Sequence, residues 1–172
     1  MNKLPHFLII LLITVSSWAC TTTFNFTGTP KGGSSVNLET LAVDVFVNEA
    51  PLVVPFLAQF LTDELQERFL SQSRLNLTTG NADVELSGSI TRYNVQPLAI
   101  SGDERAAQSR LTIGVKVIFN NNVEPDDSWE QTFSQYVDFD AEQDFASIEE
   151  TLIEEVVDQL TQDIFSKSLG KW

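Results

Sequence analysis

The chain has 172 residues, with 24 Asp+Glu against 10 Lys+Arg and a formal net charge of −14. That balance excludes attachment to nucleic acid or to an anionic membrane surface through bulk charge. There is one cysteine, Cys20, and one histidine, His6, so no intramolecular disulfide forms and stability must come from packing.

In chain order the first feature is a leader. Lys3 sits in a short polar head, Phe7–Ile13 is wholly apolar, and Thr14–Ala19 ends on a small residue. These are the three parts of an export signal. The apolar run is roughly half of the ~20 residues that a spanning helix needs, so residues 1–19 are expected to be cleaved rather than kept as an anchor. Cys20 then becomes the first mature residue, the position at which bacterial lipoproteins carry their diacylglyceryl group. Acyl chains contribute ~0.8 kcal/mol per buried CH₂, enough to hold a soluble domain on a membrane by its lipid alone. Ser17 and Trp18 depart from the usual lipoprotein signal, whereas Ala19 fits it. An ordinary secretory cut at the same bond is the alternative, because Ser17-x-Ala19 also has the small-x-small form. Thr21-Thr22-Thr23 carries neither an aspartate at the second position nor an acidic cluster, so the expected address is the periplasmic face of the outer membrane. His6 leaves with the leader. The mature chain then lacks the Ser-His-Asp and Cys-His arrangements, the usual zinc sites and histidine acid–base chemistry. No cofactor or metal is expected, and a binding or assembly role is favoured over an enzyme.

Residues 20–37 combine Gly, Ser, Thr and Pro with Phe24 and Phe26 and read as a tether. Residues 38–172 are expected to form one domain. Leu41, Val43, Val45 and Val47 alternate with Ala42, Asp44, Phe46 and Asn48, which predicts a half-buried strand. From near Pro51 or Pro55 to Ser71–Ser73, the residues Leu52, Phe56, Leu57, Phe60, Leu61, Leu65 and Phe69 recur at helical spacing. Thr78–Asn81 is a loop. A second strand covers Asp83–Val95; its apolar parity flips after Ile90, which predicts a bulge there. Gly88 within it implies close approach of a helix. Pro97–Gln108 is a loop of mixed charge, and Arg110–Asn120 shows the clearest alternation, with Leu111, Ile113, Val115, Val117 and Phe119. After the polar connection Asn120–Ser128, Trp129–Phe139 brings Trp129, Phe133, Val137 and Phe139 to one face. A last helix runs from Ser147 to Leu169, with Ser147 and Glu150 as a capping box.

The order β-α-β-β-β-α predicts an α+β, two-layer sandwich: a mixed sheet of about four strands with both long helices on one face. The second face of that sheet would hold Phe46, Arg110, Thr112, Lys116, Ile118, Tyr136 and Tyr93. It is either a contact surface for a partner or amphipathic ligand, or a solvated face with scattered aromatics. Arg92, Arg105, Arg110 and Lys116 either cluster to meet phosphates or pair with local acids. The acids of the last helix, Glu149, Glu150, Glu154, Glu155, Asp158 and Asp163, form a solvated face.

Several segments resemble the LptE family in its Bacteroidota form. They are Phe24-Asn25-Phe26-Thr27-Gly28, Glu49-Ala50-Pro51-Leu52-Val53, Arg68-Phe69-Leu70-Ser71-Gln72, Asn81-Ala82-Asp83, Ala107–Ile113, Tyr136–Asp140 and the last helix through Lys171-Trp172. The resemblance implies an outer-membrane lipoprotein that catalyses nothing and plugs a large β-barrel, LptD, the pair inserting lipopolysaccharide into the outer leaflet. It also implies contact of basic residues with lipopolysaccharide itself. The residues expected to meet the barrel or ligand are Arg92, Tyr93, Arg105, Arg110, Lys116 and Ile118, together with the Pro97–Gln108 loop. Two competing readings are a pilotin-like lipoprotein that assists another outer-membrane secretion complex and a carboxylate-dependent hydrolase using a pair such as Glu154 and Asp158.

Overall fold

The computed structural model describes residues 38–98 and 108–169. Cys20, the tether, Arg105 and most of the Pro97–Gln108 loop lie outside the described residues. The alternation from Leu111 to Phe119 produces the expected strand, and that strand is the middle of the sheet's longest section. Here β4 (Val84–Pro97), β5 (Gln108–Asn121) and β6 (Trp129–Asp140) form an antiparallel meander. On one face of β5, Leu111, Ile113, Val115, Val117 and Phe119 are buried. Across the ladder they meet Val137, Phe133 and Trp129 of β6, whose indole stacks on Phe119 with centroids 5.5 Å apart. Four strands are expected and six are present. β1 (Thr40–Val43) and β2 (Val47–Asn48) both run parallel to β4, and β3 (Asn76–Leu77) pairs in parallel with β1 at the far edge.

Both helices, α1 (Leu57–Gln72) and α2 (Phe145–Leu169), join the core cluster formed with that face of the sheet. Leu57, Leu61, Leu65 and Phe69 of α1 are buried at the predicted spacing, and Phe69 meets Phe165 of α2 edge to face. Leu52 and Phe56 do not join the stripe. The helix starts only at Leu57, because an Asx-type turn holds the preceding segment: the Asn48 side chain accepts from the Ala50 N–H and donates to the Val54 carbonyl. The capping box is absent too. α2 begins at Phe145, so Ser147 falls inside its first turn and donates from Oγ to the Asp144 carbonyl. Arg68 locks the two helices together, bonding Thr161 Oγ1 at 2.9 Å, Gln162 Oε1 at 2.7 Å and the Asp158 carboxylate.

Two irregularities set which side chains face the helices. The ladder of β4 with β5 shifts register between Ile90 and Arg92, as the parity flip predicts. Tyr93 therefore stays on the helix face; it is buried, and its hydroxyl donates to Glu149 Oε1 at 2.6 Å. It does not belong to the open face. The second irregularity splits the first predicted strand. Val43 pairs with Leu86 but Val47 with Ser89, so four steps on one strand match three on the other. The extra residue inverts the parity: Phe46 turns into the core, and Val45 and Val47 are 62 % and 58 % exposed. The large ring takes the buried place because it gains more from leaving water than a valine does. Thr62 Oγ1 accepts from the Phe46 N–H there.

Gly88 makes this possible. A Cβ at Gly88 would lie 2.6 Å from the Phe46 ring and 2.1 Å from the Lys116 carbonyl oxygen. The close approach is thus by a neighbouring strand and an aromatic ring, not by a helix. Gly80, at φ +123°, turns the loop before β4. At the start of β4, Asp83 accepts from the Glu39 and Thr40 N–H groups at 2.8 and 2.9 Å, and its own N–H donates to Thr40 Oγ1. This clasp ties β1 to β4 and holds the Asp83 carboxyl below its ordinary value of 3.8, the backbone donors being the main cause.

Two measurements check this layout. Gly88→Ala is expected to lower the unfolding free energy by roughly 2–3 kcal/mol, while Ser87→Ala, on the other face, changes it by less than about 0.5 kcal/mol. Equal urea midpoints for the two variants would contradict the packing of Phe46. The Asp83 clasp has a depressed folded-state pKa, so its contribution is present above the unfolded value and is lost as the pH falls through the folded one. Asp83→Asn is therefore expected to flatten the loss of stability between about pH 5 and pH 2; an unchanged acid limb would contradict the clasp.

Candidate functional site

With the helices on one side, alternation along β4, β5 and β6 leaves a second face uncovered by any described element. From β5 it carries Arg110, Thr112, Lys116 and Ile118, as expected from the sequence, and from β6 it carries Glu130, Thr132, Ser134, Tyr136 and Asp138. Arg92 lies on it from β4, close to Gly114. Phe46 and Tyr93, both expected here, are on the opposite face for the reasons given above.

The basic residues do not form a cluster. Arg110 is held by Asp138, opposite it on β6, through Nε to Oδ1 at 2.6 Å and NH2 to Oδ2 at 2.8 Å. Its guanidinium lies 3.7 Å from the centroid of the Tyr136 ring. Asp138 raises the Arg110 pKa, and Arg110 in turn lowers that of Asp138. Lys116 reaches diagonally to Glu130 Oε1 at 2.7 Å, a hydrogen bond that raises the lysine's pKa. Each ion pair crosses from β5 to β6, and opposite charges on adjacent strands are what stabilises such a face. Arg92 is exposed and makes no ion pair among the described residues. The face is therefore locally neutralised over β5 and β6, with one cation left over on β4.

An apolar rim runs beside it. The inverted parity after β1 turns Val45 and Val47 outward, and Leu52, in the Asx-type turn, lies beside the face as well; Val53 and Phe56 are exposed but line neither groove. Two shallow grooves join rim and face. One, of about 400 Å³, lies between Val45, Val47, Lys116 and Ile118. The other, of about 710 Å³, lies between Leu52, Arg92, Gln96 and Thr112. This rim is not visible in the periodicity of the sequence, where Val45 and Val47 fit a core strand and Leu52 fits the helix stripe. Glu49-Ala50-Pro51, a strand breaker amid apolar residues, was the available signal.

The arrangement offers little for catalysis. Of the carboxylate pair considered for a hydrolase, Asp158 is bonded to Arg68. The carboxyl that is pushed up among the described residues is Glu64, chiefly by burial and then by Glu67, and it lines neither groove. Among the described residues no group of three His, Cys, Asp or Glu side chains could hold a metal ion. Likewise, no described helix is long and apolar enough to cross a membrane.

A family model described as LptE, lipopolysaccharide-assembly, matches residues 38–168. None of the curated protein sequences matches the chain significantly. Among solved structures the chain is similar to a minor lipoprotein from Acinetobacter baumannii, at 14 % identity and a TM-score of 0.51, covering 77 % of this chain and 94 % of that one. It is similar to the rare lipoprotein B from Shewanella oneidensis at 13 % identity and a TM-score of 0.51, covering 77 % and 98 %. It is also similar to a protein from Xanthomonas campestris at 13 % identity and a TM-score of 0.52, covering 83 % and 89 %. At these identities the structures establish a shared fold.

Proposed function

The chain belongs to the LptE lipopolysaccharide-assembly family, which is a family of assembly lipoproteins rather than of enzymes, and from that premise we propose that it partners and plugs an LptD-type outer-membrane β-barrel. In this reading Cys20 is lipidated, residues 20–37 tether the domain to the periplasmic face of the outer membrane, and the domain sits in the barrel lumen.

The observation that carries the proposal is the uncovered sheet face with its apolar rim. A face built of ion pairs that satisfy one another, hydroxyls and an aromatic ring presents few charges that a partner must neutralise. Beside it, the exposed side chains Val45, Val47 and Leu52 gain from being covered. That combination suits a protein wall. It suits the phosphates of lipopolysaccharide less well, since Arg110 and Lys116 are already engaged. Arg92 is the cation in the larger groove for direct contact with lipopolysaccharide, and the Pro97–Gln108 loop, including Arg105, continues the contact from the end of the β4–β5 hairpin. Ile118 and Lys116, between face and rim, are the centre of the barrel contact.

Purification of the tagged, full-length protein from outer membranes in mild detergent tests this. A large LptD-type barrel is expected at about one to one. Lys116→Glu with Ile118→Asp is expected to lower its recovery by about tenfold or more, with the circular dichroism of the isolated protein unchanged. Unaltered recovery by the double variant would overturn the assignment of the face. Recovery of a secretin, or of no barrel, by the wild-type protein would overturn the partnership.

A further inference from the structure

The two edges of the sheet are built differently. At one edge β3 has two residues, a length that offers almost nothing to pair with. At the other, β6 pairs with β5 through twelve consecutive residues without a register shift, and it contains no proline, lysine or glycine. Devices that blunt edge strands are thus missing from its middle, Thr132–Tyr136.

The ladder fixes which backbone groups are free. The Asn122 N–H donates to the Asp83 carbonyl, and the Leu98 N–H to the Gln108 carbonyl. Even-numbered residues of β5 therefore bond to β4 on both sides of the bulge, and odd-numbered ones bond to β6. In β6 the partners of those odd residues are Phe139, Val137, Gln135, Phe133, Gln131 and Trp129. The N–H and C=O groups of Glu130, Thr132, Ser134, Tyr136 and Asp138 consequently point away from the sheet, and their side chains lie on the uncovered face.

We propose that β6 is a docking edge that takes an extended segment of a partner protein as a seventh strand, with Lys or Arg where that segment passes Glu130 and Asp138. Only an extended backbone matches the alternating donors and acceptors of the edge. The charges select the partner. Two copies of β6 paired antiparallel about Ser134 would put Glu130 opposite Asp138, like charges at directly opposed positions, in a chain of net charge −14. A basic segment meets the same carboxylates favourably: on β6 they are the charges nearest the open edge, with Lys116 and Arg110 behind them on β5, and each keeps lone pairs to spare. This rests on the barrel partnership above and refines it. A closed barrel has no strand edge of its own, so the segment comes from a loop or plug-facing stretch of the barrel protein and not from its wall.

The test uses the full-length protein and the copurified barrel. Proline at an outward-pointing N–H removes a donor without breaking the ladder to β5. Ser134→Pro is therefore expected to lower barrel recovery by about tenfold, and by clearly more than Ser134→Ala, which loses the hydroxyl but keeps the N–H. Amide hydrogen exchange on the wild-type complex does not depend on that variant folding. The N–H groups of Glu130, Thr132, Ser134, Tyr136 and Asp138 are expected to exchange at least about tenfold more slowly in the complex than in the free protein. Full recovery with Ser134→Pro, or unchanged exchange at all five amides, would overturn the docking edge while leaving the barrel partnership standing. Absence of any barrel with the wild-type protein would overturn both.

Discussion

Successive side chains of a strand point to opposite faces, and everything in this domain depends on β5 obeying that constraint over its whole length. Its odd-numbered residues from Leu111 to Phe119 are the floor on which α2 rests, while α1 lies over β1, β2 and β3 and joins the same core. Its even-numbered residues are thereby committed to the other side. A sheet with helices on one face must do something with the second. Here it is neither apolar enough to be a core nor charged enough to be an ordinary solvated surface. The cross-strand pairs Arg110–Asp138 and Lys116–Glu130 keep it soluble, and they also leave it without strong net charge. The same constraint that builds the core therefore produces the surface to which a function is assigned.

The rim beside that surface has a separate origin. A single extra residue between β1 and β2 exchanges Phe46 for Val45 and Val47 as the buried side chains. Gly88 provides the space for the ring, Thr62 holds the backbone at the turn, and the valines become the wall of a groove. A bulge next to a binding surface is a common way to re-aim side chains. Here it turns part of a core strand into an apolar border, at the cost of a conflict between local pattern and final burial.

Much of the fold is legible in the sequence because the strongest signals are periodic. The β5 alternation, the α1 stripe from Leu57 to Phe69 and the parity flip after Ile90 each point to the arrangement that forms. The first strand is not legible. Its run of valines fits either parity, and the choice is made by a tertiary contact between Phe46 and a glycine forty-two positions away. β3 is too short to carry a pattern, and the capping box at Ser147 yields to a helix that starts two residues earlier. The candidate site is half legible. Arg110, Lys116, Ile118 and Tyr136 share the face that alternation gives them, but the pairing of the two cations depends on the register of β5 with β6, which residue spacing does not specify. Tyr93 illustrates the same limit: the bulge was predicted, but not that it would keep the ring in the core, bonded to Glu149.

The uncovered face, and not the helical layer, is the surface proposed to meet the partner. Site-specific photo-crosslinking in intact cells addresses it most directly, with a photoreactive residue at Ile118 on the face, or at Glu155 on the exposed side of α2. Ile118 is expected to crosslink in high yield to an LptD-type barrel, and Glu155 to give a markedly weaker product. A barrel adduct from Glu155 with none from Ile118 would contradict that assignment.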